Sequence, residues 1–535
     1  MRPQLRLLAL MSAVVLLASV CHSATITGTV KGVDGAPFQG AFVQAQNTKT
    51  KITVNVLSDG QGRYRIEQLP AGEYRVQIRA VGFSAEPHTG VNLTADQNTS
   101  FDFALLKGVV RWSDISQNQA KQLWPPAKGK DLIVQNCSIC HGFESLMAPV
   151  TRDEDGWKDR VAFMRTAFRF GLADVTDQDA AEIASYLTKL FGPDSVLPKS
   201  PEDMPKYKET LRPFSSDAMN IVYVEYDMPG PRRMPFSAAP DKNGYLWIPN
   251  FGAANKISRL DPKTGEMQDF SVPNIGVAGI HSAVPAPDGS VWLAEQSSNK
   301  LGRWDPVTQK ITEFQDQYLP GKEGIEEGGE KHTVRLDPSG NVWASGAPLT
   351  KFDPETKKFT RFAEVPRVYD VKPDKNGDVW FTSPRTNEIG KVDGKTMKIT
   401  KWTMPTGASY PRRLEIGPDG IIWIGEFNSG KMGRFDPKNQ TFKEYALPGP
   451  DPTPYALGID AEGYIWYDSH RQDTMGRFDP KTGKVTEYPV PHVELSMREF
   501  FRDAQGRMWY GINPNNKVGY FYLAGKSGGT MSSSR

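Results

Sequence analysis

One short pattern constrains this chain more than any other. Gly-x-(aliphatic or Met)-Trp recurs seven times, ending at Trp247, Trp292, Trp343, Trp380, Trp423, Trp466 and Trp509, at intervals of 45, 51, 37, 43, 43 and 43 residues. Behind the tryptophan comes a second strand-like run and often a Lys-x-Gly-Arg-x-Asp-Pro turn, as in Lys300 to Pro306 and Lys431 to Pro437, or with Thr first in Thr474 to Pro480. A further run then ends in proline, as in Phe442 to Pro448. Four short strands per repeat predict the blades of a β-propeller, and seven repeats predict seven blades across residues 219–525. Ile221 to Pro229 reads like the last strand of a repeat, whereas the final repeat has no such strand of its own. The N-terminal strand is therefore expected to complete the final blade and remove the open edges of the array.

The repeat also singles out equivalent positions. Eleven residues before each tryptophan stand Phe236, His281, His332, Tyr369, Arg412, Tyr455 and Arg498. Three residues after it stand Asn250, Glu295, Gly346, Ser383, Glu426, Ser469 and Ile512. The ends of the innermost strands ring the channel of a propeller, so His281, His332, Glu295, Tyr369, Arg412, Glu426, Tyr455 and Arg498 are candidates for a polar pocket in its mouth. The alternative is that they satisfy loop backbone and one another around a water-filled channel.

These repeats resemble the virginiamycin B lyase (streptogramin lyase) family over about 300 residues, through Asp-Gly-x-x-Trp and Asn-Lys-x-Gly-Arg elements such as Asp288 to Trp292 with Asn299 to Arg303. The resemblance implies a seven-bladed propeller. It also implies elimination at a cyclic ester with a magnesium ion, served by histidines before the Asp-Gly-x-x-Trp element and glutamates after the tryptophan. His281, His332 and Glu295 match those positions, as general base and as carboxylate holding a divalent cation. The pattern departs in the third repeat, where Ala344-Ser345-Gly346 follows the tryptophan without a glutamate.

Ahead of the propeller the chain changes character three times. Residues 1–24 carry Arg2 and Arg6 before the uncharged run Leu7 to Val20, the form of an export signal, which makes the protein periplasmic or otherwise exported. Cys21 offers the alternative of a lipid anchor. Residues 25–107 alternate in short runs broken by turns such as Ser58 to Gly62, which predicts a β-sandwich. They resemble the carboxypeptidase regulatory-like, transthyretin-like family, which implies an accessory module that binds a partner, a surface glycan or the rest of the chain. Residues 193–218, punctuated by five prolines, read as a linker.

Residues 108–192 read as helical. Lys128 to Cys140 forms one candidate helix, and Thr176 caps another with an apolar stripe at Ala180, Ile183, Ala184, Leu187 and Leu190. The first of these presents Cys137-Ser-Ile-Cys140-His141. Two thiols at this spacing followed by histidine predict covalent attachment of one haem c, with His141 as axial ligand and Met164 as the other; Met147 is the runner-up. The stretch 125–192 resembles the cytochrome c family. The expected architecture is therefore multidomain and mainly β: an N-terminal β-sandwich, a small all-α cytochrome c-like domain and a C-terminal seven-bladed β-propeller.

With 64 basic and 62 acidic residues the net charge is +2, which gives no drive toward nucleic acid. No later apolar run is long enough to span a membrane. The leading functional expectation is electron transfer by the haem, to or from a redox partner protein or a small-molecule substrate at the propeller. Arg412, Arg413 and Arg498 are positioned to hold an anionic substrate or a quinone cofactor. The alternatives are a metal-dependent C–O lyase or hydrolase in the channel, and a binding or scaffold subunit of an envelope complex.

Overall fold

The computed structural model describes residues 23–139, 141–144, 150–167, 172, 174–274, 276–316, 330–365 and 367–525. Nearly all of the leader 1–24, with Cys21, lies outside them, as do Cys140 and Met147.

The repeats fold into seven four-stranded blades. The first six each use four consecutive strands, for example Pro454–Ile459, Ile465–Ser469, Thr474–Phe478 and Val485–Pro489 in blade six. Each tryptophan sits on the second strand of its blade for a local reason. In blade six Asp460 accepts hydrogen bonds from the amides of Glu462 and Tyr464 and from Trp466 Nε1 at 3.0, 2.9 and 2.9 Å. Gly463 closes that turn with φ = 86°, a left-handed conformation that a side chain resists. Blades one, three and seven repeat the Asp–Trp bond through Asp241, Asp337 and Asp503.

Blade seven closes the ring as its incomplete repeat requires. Ile221–Asp227 pairs antiparallel with Lys517–Leu523, from Ile221 opposite Leu523 to Asp227 opposite Lys517. The other edge of the same strand pairs with Thr53–Leu57 of the N-terminal sandwich, Val224 opposite Val54. Blade seven and one sheet of the sandwich thus form one eight-stranded sheet. Two edges that would each expose unpaired backbone groups satisfy one another. The apolar core is continuous across the junction: Val43, Val54 and Val76 of the sandwich share a cluster with Val222, Val224, Trp509 and Tyr520.

A buried polar chain runs through this seam. Gln44 donates to Asn55 at 2.7 Å, Asn55 to Glu225 at 3.3 Å, and Glu225 also meets His492 Nε2 at 2.8 Å and the Tyr510 hydroxyl at 3.2 Å. Burial works to raise the Glu225 carboxyl, but His492, Lys517 and Tyr510 outweigh it and hold the group below its ordinary range. A carboxylate held low stabilises the fold above its unfolded value and loses that contribution as pH falls through its folded value. Glu225→Gln is therefore expected to cost about 1.5–3 kcal/mol at neutral pH and less in acid. Urea unfolding at pH 7 and pH 4 reads both effects, and an equal loss at the two pH values would contradict the assignment.

The segment 108–192 departs from expectation. Helices α1 (Gln117–Leu123), α2 (Lys128–Leu132), α3 (Glu154–Ala167) and α4 (Asp177–Phe191) form, and the Thr176 hydroxyl accepts from the Asp179 amide at 3.1 Å as its sequence suggests. Ile183, Ala184, Leu187 and Leu190 are buried as the stripe predicts. The helix expected over Lys128 to Cys140 instead passes after Leu132 into a wide π-helical turn, Ile133–Cys137. Among the described residues no discrete all-α domain of cytochrome c type results. Two of the four helices have only five and seven residues, and the core they share takes in Leu197, Met204 and Tyr207 from the expected linker. Ser138, Ile139 and Gly142 are seated on the propeller. A helical stripe records that a face will be buried, not against what.

Candidate functional site

The position eleven residues before each tryptophan lies within three residues of the start of its blade's first strand. Radial symmetry brings these seven positions together at one end of the channel, where they form a closed ring of side chains. Phe236 meets His281 at 4.9 Å between ring centroids, His281 meets His332 at 3.7 Å and His332 meets Tyr369 at 4.5 Å. The Arg412 guanidinium lies 4.9 Å from the Tyr369 ring and 3.8 Å from that of Tyr455. Arg498 lies 4.8 Å from Tyr455 and 5.2 Å from Phe236, which completes the circuit. The seven residues are between 1% and 7% exposed.

One residue further along each strand a second layer follows. Arg413 Nη1 reaches Thr333 Oγ1 at 2.9 Å, Asp370 Oδ1 at 2.9 Å and Glu499 Oε1 at 3.0 Å. Arg335 reaches the same Glu499 oxygen at 2.6 Å. Burial works to raise Asp370, and Arg413, Arg335 and Lys372 outweigh it, so Asp370 stays ionised.

This arrangement decides the charge state of the imidazoles. Burial first, then neighbouring cations, holds His281, His332 and His470 well below their ordinary value. The cations include Arg413 and Arg498 for His281, Arg413 and Arg412 for His332, and Arg498 and Arg412 for His470. All three are neutral near pH 7. His332 Nδ1 lies 3.0 Å from Thr333 Oγ1. His281 Nδ1 is buried with no hydrogen-bond partner among the described residues. Opposite, the Tyr369 and Tyr455 hydroxyls bond to each other, and burial keeps Tyr369 protonated.

The loop that carries the expected haem motif covers this ring. Ile139 packs among Tyr369, Phe427 and Tyr455. Its carbonyl accepts from Arg412 Nη1 at 2.8 Å, and the Ser138 carbonyl accepts from Arg471 Nε at 3.2 Å and Gln117 Nε2 at 3.0 Å. The Gly142 amide donates to Glu494 Oε1 at 3.0 Å. His141 is turned so that its Nδ1 lies 2.7 Å from the Gly142 carbonyl, while Met164 sits half-buried on α3. The expected haem c on Cys137, Cys140 and His141 with Met164, and the electron transfer and redox partner built on it, are corrected, because among the described residues no discrete cytochrome c-type helical domain surrounds the motif. Ser138, Ile139 and Gly142 within and beside the motif cap the ring.

The divalent cation expected near His281, His332 and Glu295 is corrected too. The Glu295 carboxylate accepts from Ser298 Oγ at 2.9 Å beside Lys300 and Glu313, inside blade two. Glu426 repeats this in blade five with Ser429 at 2.8 Å, beside Lys431 and Glu444. Burial raises both carboxyls to about 7. Neither joins the ring, and no group of three or more His, Cys, Asp or Glu side chains among the described residues is arranged to hold a metal ion. The quinone cofactor is corrected likewise: Arg413 is engaged by Asp370 and Glu499, so it is not open to a ligand. Arg471, His470, Glu494 and Ile139 belong to the site without having been marked by the repeat. They lie on loops, where the period says nothing about direction.

Glu494 belongs to a group of buried acids that holds the loop. Burial raises Glu144 to about 8 and Asp473 to about 7, and it raises Glu494 well above its ordinary value, with Glu144 and Asp473 adding to it. Arg79 faces Asp473, and Arg498 faces Glu494. Acids raised on docking favour the docked state fully below their undocked values and lose that contribution as pH rises through the docked ones. Protection of the Gly142 and Phe143 amides from hydrogen exchange, corrected for intrinsic rate, is thus expected to fall between pH 6 and pH 9. Glu494→Gln should flatten that dependence; an unchanged profile would rule the acid group out as the latch.

Comparison with known proteins agrees with the β architecture. The virginiamycin B lyase family matches residues 354–529, and the carboxypeptidase regulatory-like domain matches residues 25–106. No curated protein sequence matches the chain. Among solved structures, selenomethionine-substituted virginiamycin B lyase from Staphylococcus aureus is 21% identical, with a TM-score of 0.50 over 57% of this chain and 99% of that one. A streptogramin B lyase structure is 24% identical, with a TM-score of 0.49 over 58% and 100%. At these identities the likeness concerns the fold alone. No helix among the described residues is long and apolar enough to cross a membrane. The chain carries a virginiamycin B lyase-like propeller joined to a carboxypeptidase regulatory-like domain.

Proposed function

We propose that the propeller mouth is an acid–base site that cleaves a C–O bond of a small-molecule substrate, by elimination or hydrolysis, as a lyase-like enzyme. The observation that carries this reading is His281: a buried, neutral imidazole whose Nδ1 meets no hydrogen-bond partner among the described residues, stacked on His332 and facing buried arginines. A neutral imidazole with a free lone pair is fit to take a proton. In an elimination, His281 removes a proton next to a carbonyl and the C–H electron pair becomes the C=C bond. The C–O bond breaks, and the leaving oxygen takes a proton from a hydroxyl of the Tyr369–Tyr455 pair. Arg412 and Arg498 offset the negative charge that develops on the carbonyl oxygen. In a hydrolysis, His281 takes the proton of the attacking water instead. With residues 1–24 as an export signal, the work is done outside the cytoplasm, in the periplasm.

The test is a screen of small esters and lactones with the full chain, followed by a pH–rate profile on any substrate found. Because His281 is held below its ordinary value, kcat/KM should stay level down through pH 6.5 and fall only in stronger acid. A rate that follows an ordinary imidazole titration near pH 6.5 would defeat the assignment.

A further inference from the structure

We infer that the substrate of this mouth is a carboxylate on an apolar body, bound by Arg412 and Arg471 at the place now taken by the chain's own residues Ser138 and Ile139. The inference rests on the mouth being the reacting site and names what enters it. The loop shows the pattern of groups the mouth accepts. Two adjacent sp2 oxygens, the carbonyls of Ser138 and Ile139, receive N–H groups from Arg471 and Arg412 at 3.2 and 2.8 Å. The branched hydrocarbon of Ile139 fills the space between the Tyr369, Phe427 and Tyr455 rings. A peptide carbonyl carries only partial charge, whereas these donors are buried cations, Arg412 2% exposed and Arg471 7%, and Arg471 Nη1 also meets Asp451 at 3.4 Å. A carboxylate in the same place offers two oxygens to two guanidinium groups and makes charge-assisted bonds, roughly twice as strong as those to a neutral acceptor. The Arg412 cation already lies 4.4 Å from the Phe427 ring and 3.8 Å from that of Tyr455, so a carboxylate there would be backed by aromatic walls. A fully hydrated polyanion would find those walls unfavourable.

The surrounding charges favour an anion. Arg412 and Arg498 lie 3.8 and 4.8 Å from the Tyr455 ring, so two guanidinium groups converge on the mouth. Burial raises Asp468 to about 8, so this acid is protonated near pH 7; Asp451, paired with Arg471, is the carboxylate with which a ligand shares that cation. The Ser138–Ile139 loop competes with the ligand, and its displacement lowers apparent affinity by the fraction of molecules in which the mouth is open.

The experiment is calorimetric titration of the full chain with benzoate and 3-phenylpropionate, with benzamide as the neutral counterpart and inorganic phosphate as the anion without an apolar body. The carboxylates are expected to bind, benzamide and phosphate at least tenfold more weakly. Arg412→Gln should weaken the carboxylates at least tenfold, and Ile139→Ala, which loosens the competing loop, should strengthen them several-fold. His281→Gln should leave carboxylate binding in place while removing turnover, so loss of the catalytic reading and loss of this one are separable. Circular dichroism confirms that each variant is folded, and Arg412→Lys, which keeps the charge but not the fork, serves if the glutamine variant is not. Carboxylates binding no better than benzamide, phosphate binding as well as benzoate, or affinity unchanged in a folded Arg412 variant would each overturn the inference.

Discussion

Replacing His281 with glutamine is expected to lower turnover by a factor of about 10²–10⁴, the range that a positioned acid–base group supplies. Glutamine keeps a polar planar group near Phe236 and His332 but has no lone pair basic enough to take a proton. The ring should therefore persist while the chemistry stops. His332→Gln is expected to have a smaller effect on kcat, because its Nδ1 already faces the Thr333 hydroxyl at 3.0 Å and its part is to orient the stacked imidazole. The pH profile separates the two roles. His332→Gln removes one of the groups that hold His281 low, so the acid limb of kcat/KM should move toward higher pH. Equal losses in both variants with no shift in the profile would show that neither histidine is the proton acceptor.

Arg413→Met is expected to destabilise the propeller by about 3–5 kcal/mol, the usual consequence of removing one partner from a buried ionic group. Burial works to lower the Arg413 pKa, and Glu499 and Asp370 more than offset it, so the guanidinium is firmly charged. Its loss leaves Asp370 and Glu499, 1% and 3% exposed, with less compensation at the centre of the channel. Arg335 still reaches Glu499, so Asp370 should carry most of the penalty. Adding Asp370→Asn to Arg413→Met should recover part of the stability, a coupling that a double-mutant cycle reads. Denaturant unfolding with a loss below about 1 kcal/mol would show that the second layer is not what ties blades three, four, five and seven together.

Much of this structure was legible in the residues. The tryptophan period marks seven blades, the unpaired run at Ile221 marks the closure, and counting eleven residues back from each tryptophan names all seven members of the ring. The count works because the β period and the propeller's rotation are both regular, so equal sequence positions become equal radial positions. The same count forward misleads for Glu295 and Glu426. Alternation turns their side chains into the blade, where Ser298 and Ser429 lie three residues on. The junction between sandwich and propeller left no trace in the sequence either. Nothing in Thr53 to Leu57 or Ile221 to Asp227 says that two edge strands from different domains will share one sheet.

Cys137 to His141 shows the limit most directly. The spacing of two thiols and an imidazole is local information, and it reads as a complete haem motif. What surrounds those residues is not local. Ile139 finds its partners on three blades, at positions 369, 427 and 455, and the Ser138 and Ile139 carbonyls find theirs at positions 471 and 412. Repeat, closure and ring membership follow from short-range period and alternation, which the sequence by itself determined. Which loop covers the ring, which carboxylates stay out of it and which imidazoles stay neutral depend on burial and on charges brought together across hundreds of residues, and those only the tertiary structure decided.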